Sequence, residues 1–364
     1  MKINTITCHD VYNHGASLQA YALQTYLTQL GHDVEIIDYK PDYLDKHYKL
    51  WNVDNPVYDK PVVKQLYLLA KLPERLLMLK RKKVFDDFTC DYLKLTRRYH
   101  SNDELKVNPP QADVYIAGSD QIWNTILPNG KDPAFYLDFV PEGNKRIAYA
   151  ASFATTDVAD EYKPFVIKML KKLDYISVRE RVSLPLLSSL GRKDGVAVCD
   201  PVFLLSQEYW NSLLAERKDR EKYLLIYDAE SSNILKDTAV RIAAAKNLKI
   251  YSVSAYRHKY ADKNYWVASP LQFVQLIRDA DFVVSNSFHA SAFSIIFQRD
   301  FCITNRSENI NERMRSLLDD LGLADRLVLG FNDDILLHID YTQVEQKLDR
   351  YIQYSHEFLK SVLS

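Results

Sequence analysis

The stretch Ala280–Phe301, ADFVVSNSFHASAFSIIFQRDF, reads as strand, turn and helix, and the rest of the fold follows outward from it. Phe282-Val283-Val284 is a short unbroken apolar run, the pattern of a parallel strand buried on both faces. Ser285-Asn286-Ser287 interrupts it with three small polar residues suited to a turn and a helix N-cap. An apolar helical segment follows from Phe288 to Phe297, with His289 in its first turn. Such a junction presents unpaired backbone N–H groups and the positive end of a helix dipole, so it attracts anions. An imidazole there can reach a bound ligand, or it can be a structural histidine that caps the turn. The window alone leaves these two readings even.

The same alternation of strand and helix runs through the chain. Lys2–Thr7 reads as a strand, and Leu18, Ala22, Tyr26 and Leu30 recur at helical spacing until Gly31 stops them. Val34–Tyr39 is the next strand, which completes a βαβ unit of the doubly wound type. The connecting turn, Asn13-His14-Gly15, is not a GxGxxG, so no dinucleotide is expected. Further units follow to Pro201, and a second series begins near Gln207. The expected fold is α/β, with two Rossmann-like domains facing across a cleft. The expected division is 1–203, with a loop and basic helical insertion at 41–95, then 204–340, then a final helix 341–364 packing back on the first domain. Pro41–Pro61 reads as irregular, Val62–Leu93 as mostly helical with a break at Pro73, and Ala255–Ser269 as a loop.

Composition narrows the function. The chain has 364 residues, 47% apolar and 26% charged, which is enough for two domains with a core. The net charge of -1 gives no global argument for nucleic acid. Cys8, Cys90, Cys199 and Cys302 are scattered without a CxxC pair, so neither a zinc site nor a disulfide framework is expected. No signal peptide or 18-residue apolar run is read, which makes a cytoplasmic location the expectation. Lys64, Lys71, Arg75, Lys80, Arg81, Lys82 and Lys83 lie among leucines. Residues 62–83 could therefore touch the inner face of a membrane peripherally, or form a solvated face; both stay open.

Candidate site residues fall where strands end. Asp113–Ala117 is a buried strand that runs into Gly118-Ser119-Asp120-Gln121-Ile122-Trp123-Asn124, a loop rich in groups that hold sugar hydroxyls or phosphates. The alternative is a turn whose polar groups serve its own backbone. Arg179 follows the strand Asp174–Val178 and suits bidentate recognition of a carboxylate or phosphate, or else forms a surface pair with Glu180. His289, Arg306 and Arg313 are expected on one side of the cleft, and Asn13, Gly15, Gly118–Asn124 and Arg179 on the other. The positive groups ask for an anionic ligand.

These residues resemble the polysaccharide pyruvyl transferases over nearly the whole chain. The similar segments, in order, are Asn13–Gln24, Gly118–Asn124, Tyr149–Phe153, Ser177–Glu180, Cys199-Asp200-Pro201, Ser285–Ala290, and Asn311-Glu312-Arg313 with Leu321–Arg326. The resemblance implies a GT-B-like fold and transfer of a pyruvyl group from phosphoenolpyruvate onto two hydroxyls of a sugar, giving a ketal in surface or exopolysaccharide biosynthesis. It makes His289 the catalytic proton-transfer group. Arg179, Arg306, Arg313 and Ser287 would bind the donor, with Arg306 standing where other members carry a lysine. Asn13, Gly15, Gly118, Ser119, Asp120, Gln121, Trp123 and Asn124 would line the cleft on the acceptor side. The acceptor would be a sugar or lipid-linked oligosaccharide, with no cofactor and no metal. His14 stands where the family usually has Tyr, Asn286 where it has Asp, and Ala290 where it has Gly. A nucleotide-sugar glycosyltransferase on the same fold, or a non-catalytic sugar-binding relative, is the alternative.

Overall fold

A computed structural model describes residues 1–44, 61–217, 221–306 and 311–364. Most of the stretch read as irregular, Pro41–Pro61, lies outside the described residues. The first half runs β1 (Lys2–Ile6), α1 (His14–Gln29), β2 (Asp33–Tyr39), α2 (Pro61–Ala70), α3 (Leu72–Tyr92), β3 (Leu95–Tyr99), α4 (Asn102–Val107), β4 (Val114–Ala117), β5 (Lys145–Ala151), α5 (Lys163–Leu170), β6 (Tyr175–Val178), α6 (Ser183–Ser189) and β7 (Val196–Ala197). The second runs α7 (Gln207–Ser212), β8 (Tyr223–Tyr227), α8 (Asn233–Lys246), β9 (Lys249–Val253), β10 (Lys263–Tyr265), α9 (Pro270–Asp279), β11 (Phe282–Ser285), α10 (Phe288–Ile296), β12 (Phe301–Thr304), α11 (Glu312–Leu321), β13 (Leu327–Val328) and α12 (Tyr341–Leu363).

Two parallel sheets result. The first has the order β3-β2-β1-β4-β5-β6-β7 and the second β10-β9-β8-β11-β12-β13. In each, strand order reverses once, between β1 and β4 and between β8 and β11. Loops diverge at these switch points and leave a crevice beyond the carboxyl ends of the strands. Strands β4 and β11, which flank the switches, are buried along their whole length. That burial is why they read as unbroken apolar runs.

Helix α1 is buried from His14 to Leu27 on every side except at Thr25. It is wedged between its own sheet and the second half, and one apolar core runs from Leu18 and Leu23 through Trp210 to Phe273, Val283 and Phe293. Helix α12 contacts the first half. Its Tyr351 hydroxyl lies 2.8 Å from the carbonyl of Val198 and 3.1 Å from that of Arg179, and its Ser355 hydroxyl accepts from the Cys199 N–H at 2.9 Å.

Four of these strands and helices escaped the sequence reading. β3 pairs with β2 directly after the insertion read to end at 95, α4 follows β3, β10 pairs with β9 inside the loop 255–269, and β13 pairs with β12. β3 and β10 are edge strands with part-exposed residues, so neither carries a continuous apolar run. The break at Pro73 is a restart. α2 ends at Ala70 and Pro73 sits in the first turn of α3, where its missing N–H costs nothing. Val63, Leu69, Leu72 and Leu76 of these helices are exposed. Among the described residues no helix is long and apolar enough to cross a membrane.

Candidate functional site

The site lies where the carboxyl ends of β4 and β6 meet the junction between β11 and α10. The Ser285-Asn286-Ser287 turn is tied down first. The Ser285 hydroxyl donates to the Tyr227 carbonyl at 2.6 Å and accepts from the Ser287 N–H at 3.1 Å. Asn286, fully buried, donates to Asp228 at 2.9 Å and accepts from the Ala229 N–H at 2.9 Å. A carboxylate at position 286 would face Asp228 without a proton to share, so the amide is the group that fits this pair. Ser287 takes the N-cap position of α10 without a side-chain capping bond.

This turn delivers His289 into a buried cluster, with its side chain 8% exposed. Its Nε2 stands 3.6 Å from Asp200 Oδ2, and among the described residues Nε2 has no hydrogen-bond partner. The other edge of the ring lies on Gly15, at the start of α1. A Cβ added at Gly15 would stand 2.0 Å from His289 Nδ1, so only glycine permits this approach.

Asp200 is held from three directions. Its Oδ2 accepts from Arg179 Nη1 at 2.8 Å and from the Ser119 hydroxyl at 3.1 Å, while Oδ1 accepts from the Val202 N–H at 3.1 Å. Burial pushes its pKa up, but its interactions with His289 and Arg179 outweigh burial and hold it well below the usual carboxylate range. Asp200 is therefore an anion that stays ionised.

Arg179 is the hub. Its Nε donates to Glu180 Oε1 at 2.9 Å, its Nη1 also lies 3.8 Å from Asp120 Oδ1, and its guanidinium sits 4.2 Å from the Phe288 ring centroid. Burial opposes its charge, yet Glu180, Asp200 and Asp120 together raise its pKa further. Its Nη2 has no partner among the described residues. Glu180 also accepts from the Ser152 hydroxyl at 2.8 Å.

Arg313, in the first turn of α11, is buried with Nη1 4.0 Å from Asp120 Oδ1. Burial, then Arg179 and Arg306, push its pKa down to about 10 against the opposing pull of Asp120 and Glu180. Arg306 follows β12, where its backbone is clasped by the Asn311 amide and its Nε lies 3.8 Å from Glu230. Asp120 adopts φ 73°, a left-handed conformation that Asp tolerates better than most residues. That bend turns its side chain toward the two arginines.

The structure thus gathers His289, Arg179, Arg313, Ser119, Asp120 and Gly15. Gly118 ends β4, its N–H bonded to the Ile6 carbonyl at 2.8 Å. Other expected cleft residues do different work. Trp123 is fully buried, stacked on Tyr136 with centroids 5.4 Å apart and donating to the Phe135 carbonyl. It belongs to the core, which corrects its placement in the cleft. Asn124 and Gln121 bond each other at 3.0 Å and brace the loop from within. Asn13 is the N-cap of α1, accepting from Gly15 and Ala16.

Asp200 and Glu180 were not selected from sequence. Asp200 read only as part of the segment closing a strand before the boundary at Pro201, and it does cap the turn there through Val202. Glu180 read as the outer half of a weak surface pair, yet its side chain is 2% exposed. Neither local pattern records that both carboxylates converge on one arginine.

Comparison with known proteins follows the same lines. A family model described as Polysaccharide pyruvyl transferase matches residues 13–307. No curated protein matches the chain. A UDP-N-acetylglucosamine 2-epimerase from Rickettsia bellii superposes with a TM-score of 0.52 at 12% identity, covering 100% of this chain and 96% of that one. A UDP-GlcNAc 2-epimerase from Neisseria meningitidis bound to UDP-GlcNAc superposes with a TM-score of 0.49 at 11% identity, covering 98% and 94%. At such identity the Rickettsia bellii likeness speaks for the fold alone, which is GT-B-like.

Proposed function

The chain belongs to the polysaccharide pyruvyl transferase family, and from that premise we propose that it transfers a pyruvyl group from phosphoenolpyruvate to two hydroxyls of a sugar. The observation that carries this reading is the unpartnered Nε2 of His289 facing an anchored, ionised Asp200 among buried arginines. The reaction needs a proton at the methylene carbon of the donor, which becomes a methyl group and leaves C2 electron-poor. One sugar hydroxyl adds to C2, inorganic phosphate departs from it, and the second hydroxyl closes the ketal. Of the two hydroxyl protons, one replaces that delivered to the methylene carbon and one leaves with phosphate.

His289 is the group that moves the proton. Asp200 fixes the imidazole's surroundings and keeps a negative charge 3.6 Å from its Nε2. Arg313, Arg306, Arg179 Nη2 and the N-terminus of α10 with Ser287 receive the donor's carboxylate and phosphate. Asp120 stands beside them toward the acceptor. The acceptor is a sugar, free or carried on a lipid, in surface polysaccharide synthesis. The basic run Lys80–Lys83 of α3, with exposed Val63 and Leu69 of α2 and Leu72 and Leu76 of α3, supports peripheral contact with an anionic bilayer. Flotation with phosphatidylglycerol vesicles and none with phosphatidylcholine is the expected result; equal behaviour toward both would remove the membrane from the account.

The functional test is phosphate release from phosphoenolpyruvate in the presence of a panel of glycosides, with thermal unfolding followed alongside. Millimolar phosphoenolpyruvate should raise Tm by mass action. Turnover of a nucleotide sugar with none of phosphoenolpyruvate would replace this function with glycosyl transfer.

A further inference from the structure

A second cavity, of about 660 Å³, lies away from the His289 cluster, beyond the free edge of β7. One face of α12 forms a wall, since Lys347, Arg350, Tyr351 and Tyr354 stand three and four residues apart. Arg181 enters from the first half and Asp320, at the end of α11, from the second. The Arg181–Asp320 ion pair at 3.1 Å spans the two halves at the cavity.

The charge of this cavity is unbalanced. Arg181, Lys347 and Arg350 face the single carboxylate of Asp320, which Arg181 already occupies. Among the described residues neither Lys347 nor Arg350 forms an ion pair with a carboxylate; Arg350 Nε bonds the Gln346 carbonyl at 3.0 Å. Lys347 leans over the end of α11, where its Nζ would stand 2.3 Å from a Cβ at Gly322. The Tyr354 ring is 45% exposed. Tyr351 presents its ring here while its hydroxyl is spent on the Arg179 and Val198 carbonyls.

Two cations without carboxylates, aromatic faces and a volume within the range of small-molecule sites together define a ligand class. We propose that this cavity is a second binding site for an anionic saccharide. A sugar ring would lie against Tyr354 and Tyr351, and its carboxylate or phosphate between Arg350 and Lys347. A neutral sugar would forgo charge-assisted bonds to Arg350 and Lys347 and should bind more weakly than an acidic one. A saccharide bearing a pyruvyl ketal is one member of this class, and that assignment rests on the proposed reaction. The anionic site itself does not.

Isothermal titration of the full chain with three probes tests this. The probes are the 4,6-pyruvyl ketal of methyl galactoside, glucuronic acid, and neutral methyl galactoside. The two acids should bind and the neutral sugar should bind more weakly. Arg350→Ala with Tyr354→Ala, both on the exposed face of α12, should weaken glucuronic acid at least tenfold, while His289→Ala should leave its binding unchanged. Failure of both acids to bind, or loss of glucuronic acid binding with His289→Ala alone, overturns the site. Binding of glucuronic acid without the ketal would keep the anionic site and remove the link to the product. Absence of turnover with phosphoenolpyruvate, with acid binding intact, would overturn the proposed reaction and leave this site standing.

Discussion

Two histidines begin helices beside the switch points of the two sheets. His14 opens α1 after β1, and His289 lies in the first turn of α10 after β11. Both are buried, at 2% and 6% exposure. Their surroundings differ completely. His14 lies 3.0 Å from the Ala268 carbonyl and 3.3 Å from the Tyr227 hydroxyl, stacked on Phe273 with centroids 4.9 Å apart. Burial, with help from Arg81, pushes its pKa down to about 3. Every polar atom of that ring is used to join the halves. His289, one residue beyond in space across Gly15, keeps its Nε2 without a partner beside an ionised acid. A satisfied imidazole holds structure; an unsatisfied one beside a fixed charge is available for chemistry.

The sharpest break of this comparison is to remove each ring in turn. His289→Ala should lower turnover roughly 10³-fold, within the usual range for loss of an acid–base group, with little change in Tm. Unchanged turnover would return His289 to the same class as His14. Asp200→Asn should act on both activity and stability. It keeps the shape but takes the charge from beside Arg179, and breaking such a buried pair costs about 3–5 kcal/mol. Urea unfolding with an unchanged slope would read that loss, and a midpoint equal to wild type would show that Asp200 does not anchor the cluster.

The smaller effect belongs to His14, and pH exposes it. Its pKa is lower in the folded chain than its ordinary 6.5, so the unfolded chain takes up the proton first. The stability that accompanies its neutral burial is complete above about pH 6.5 and is lost as pH falls toward 3. The slope is about 1.4 kcal/mol per pH unit. His14→Gln should lose this component and unfold with a shallower acid dependence than wild type. Identical dependence in the two proteins would mean that His14 does not stay neutral in the fold.

The sequence made the fold legible where burial was complete. Phe282–Val284 and Asp113–Ala117 read directly as strands because both faces are covered, and Tyr341–Leu363 read to the residue as a helix. β3 and β10 did not, because an edge strand alternates with solvent and loses the apolar run. At the site, glycines and arginines at strand ends were readable from local chemistry. Trp123 was not placed correctly, because a large aromatic in a polar loop has the same local pattern whether it faces a ligand or the core. Asp200 and Gly15 owe their importance to partners far along the chain. Spacing cannot show that His289 fits only over a residue without a side chain.

The central claim is that His289 moves a proton to the methylene carbon of phosphoenolpyruvate while a ketal forms on a sugar. Reaction in D2O with phosphoenolpyruvate and an accepting glycoside, followed by mass spectrometry of the product, tests it most directly. A pyruvyl ketal with one deuterium in its methyl group, formed by the wild type and lost in His289→Ala, is the predicted result. Ketal formed equally by the His289→Ala protein, or a sugar product that carries no pyruvyl group, would contradict it.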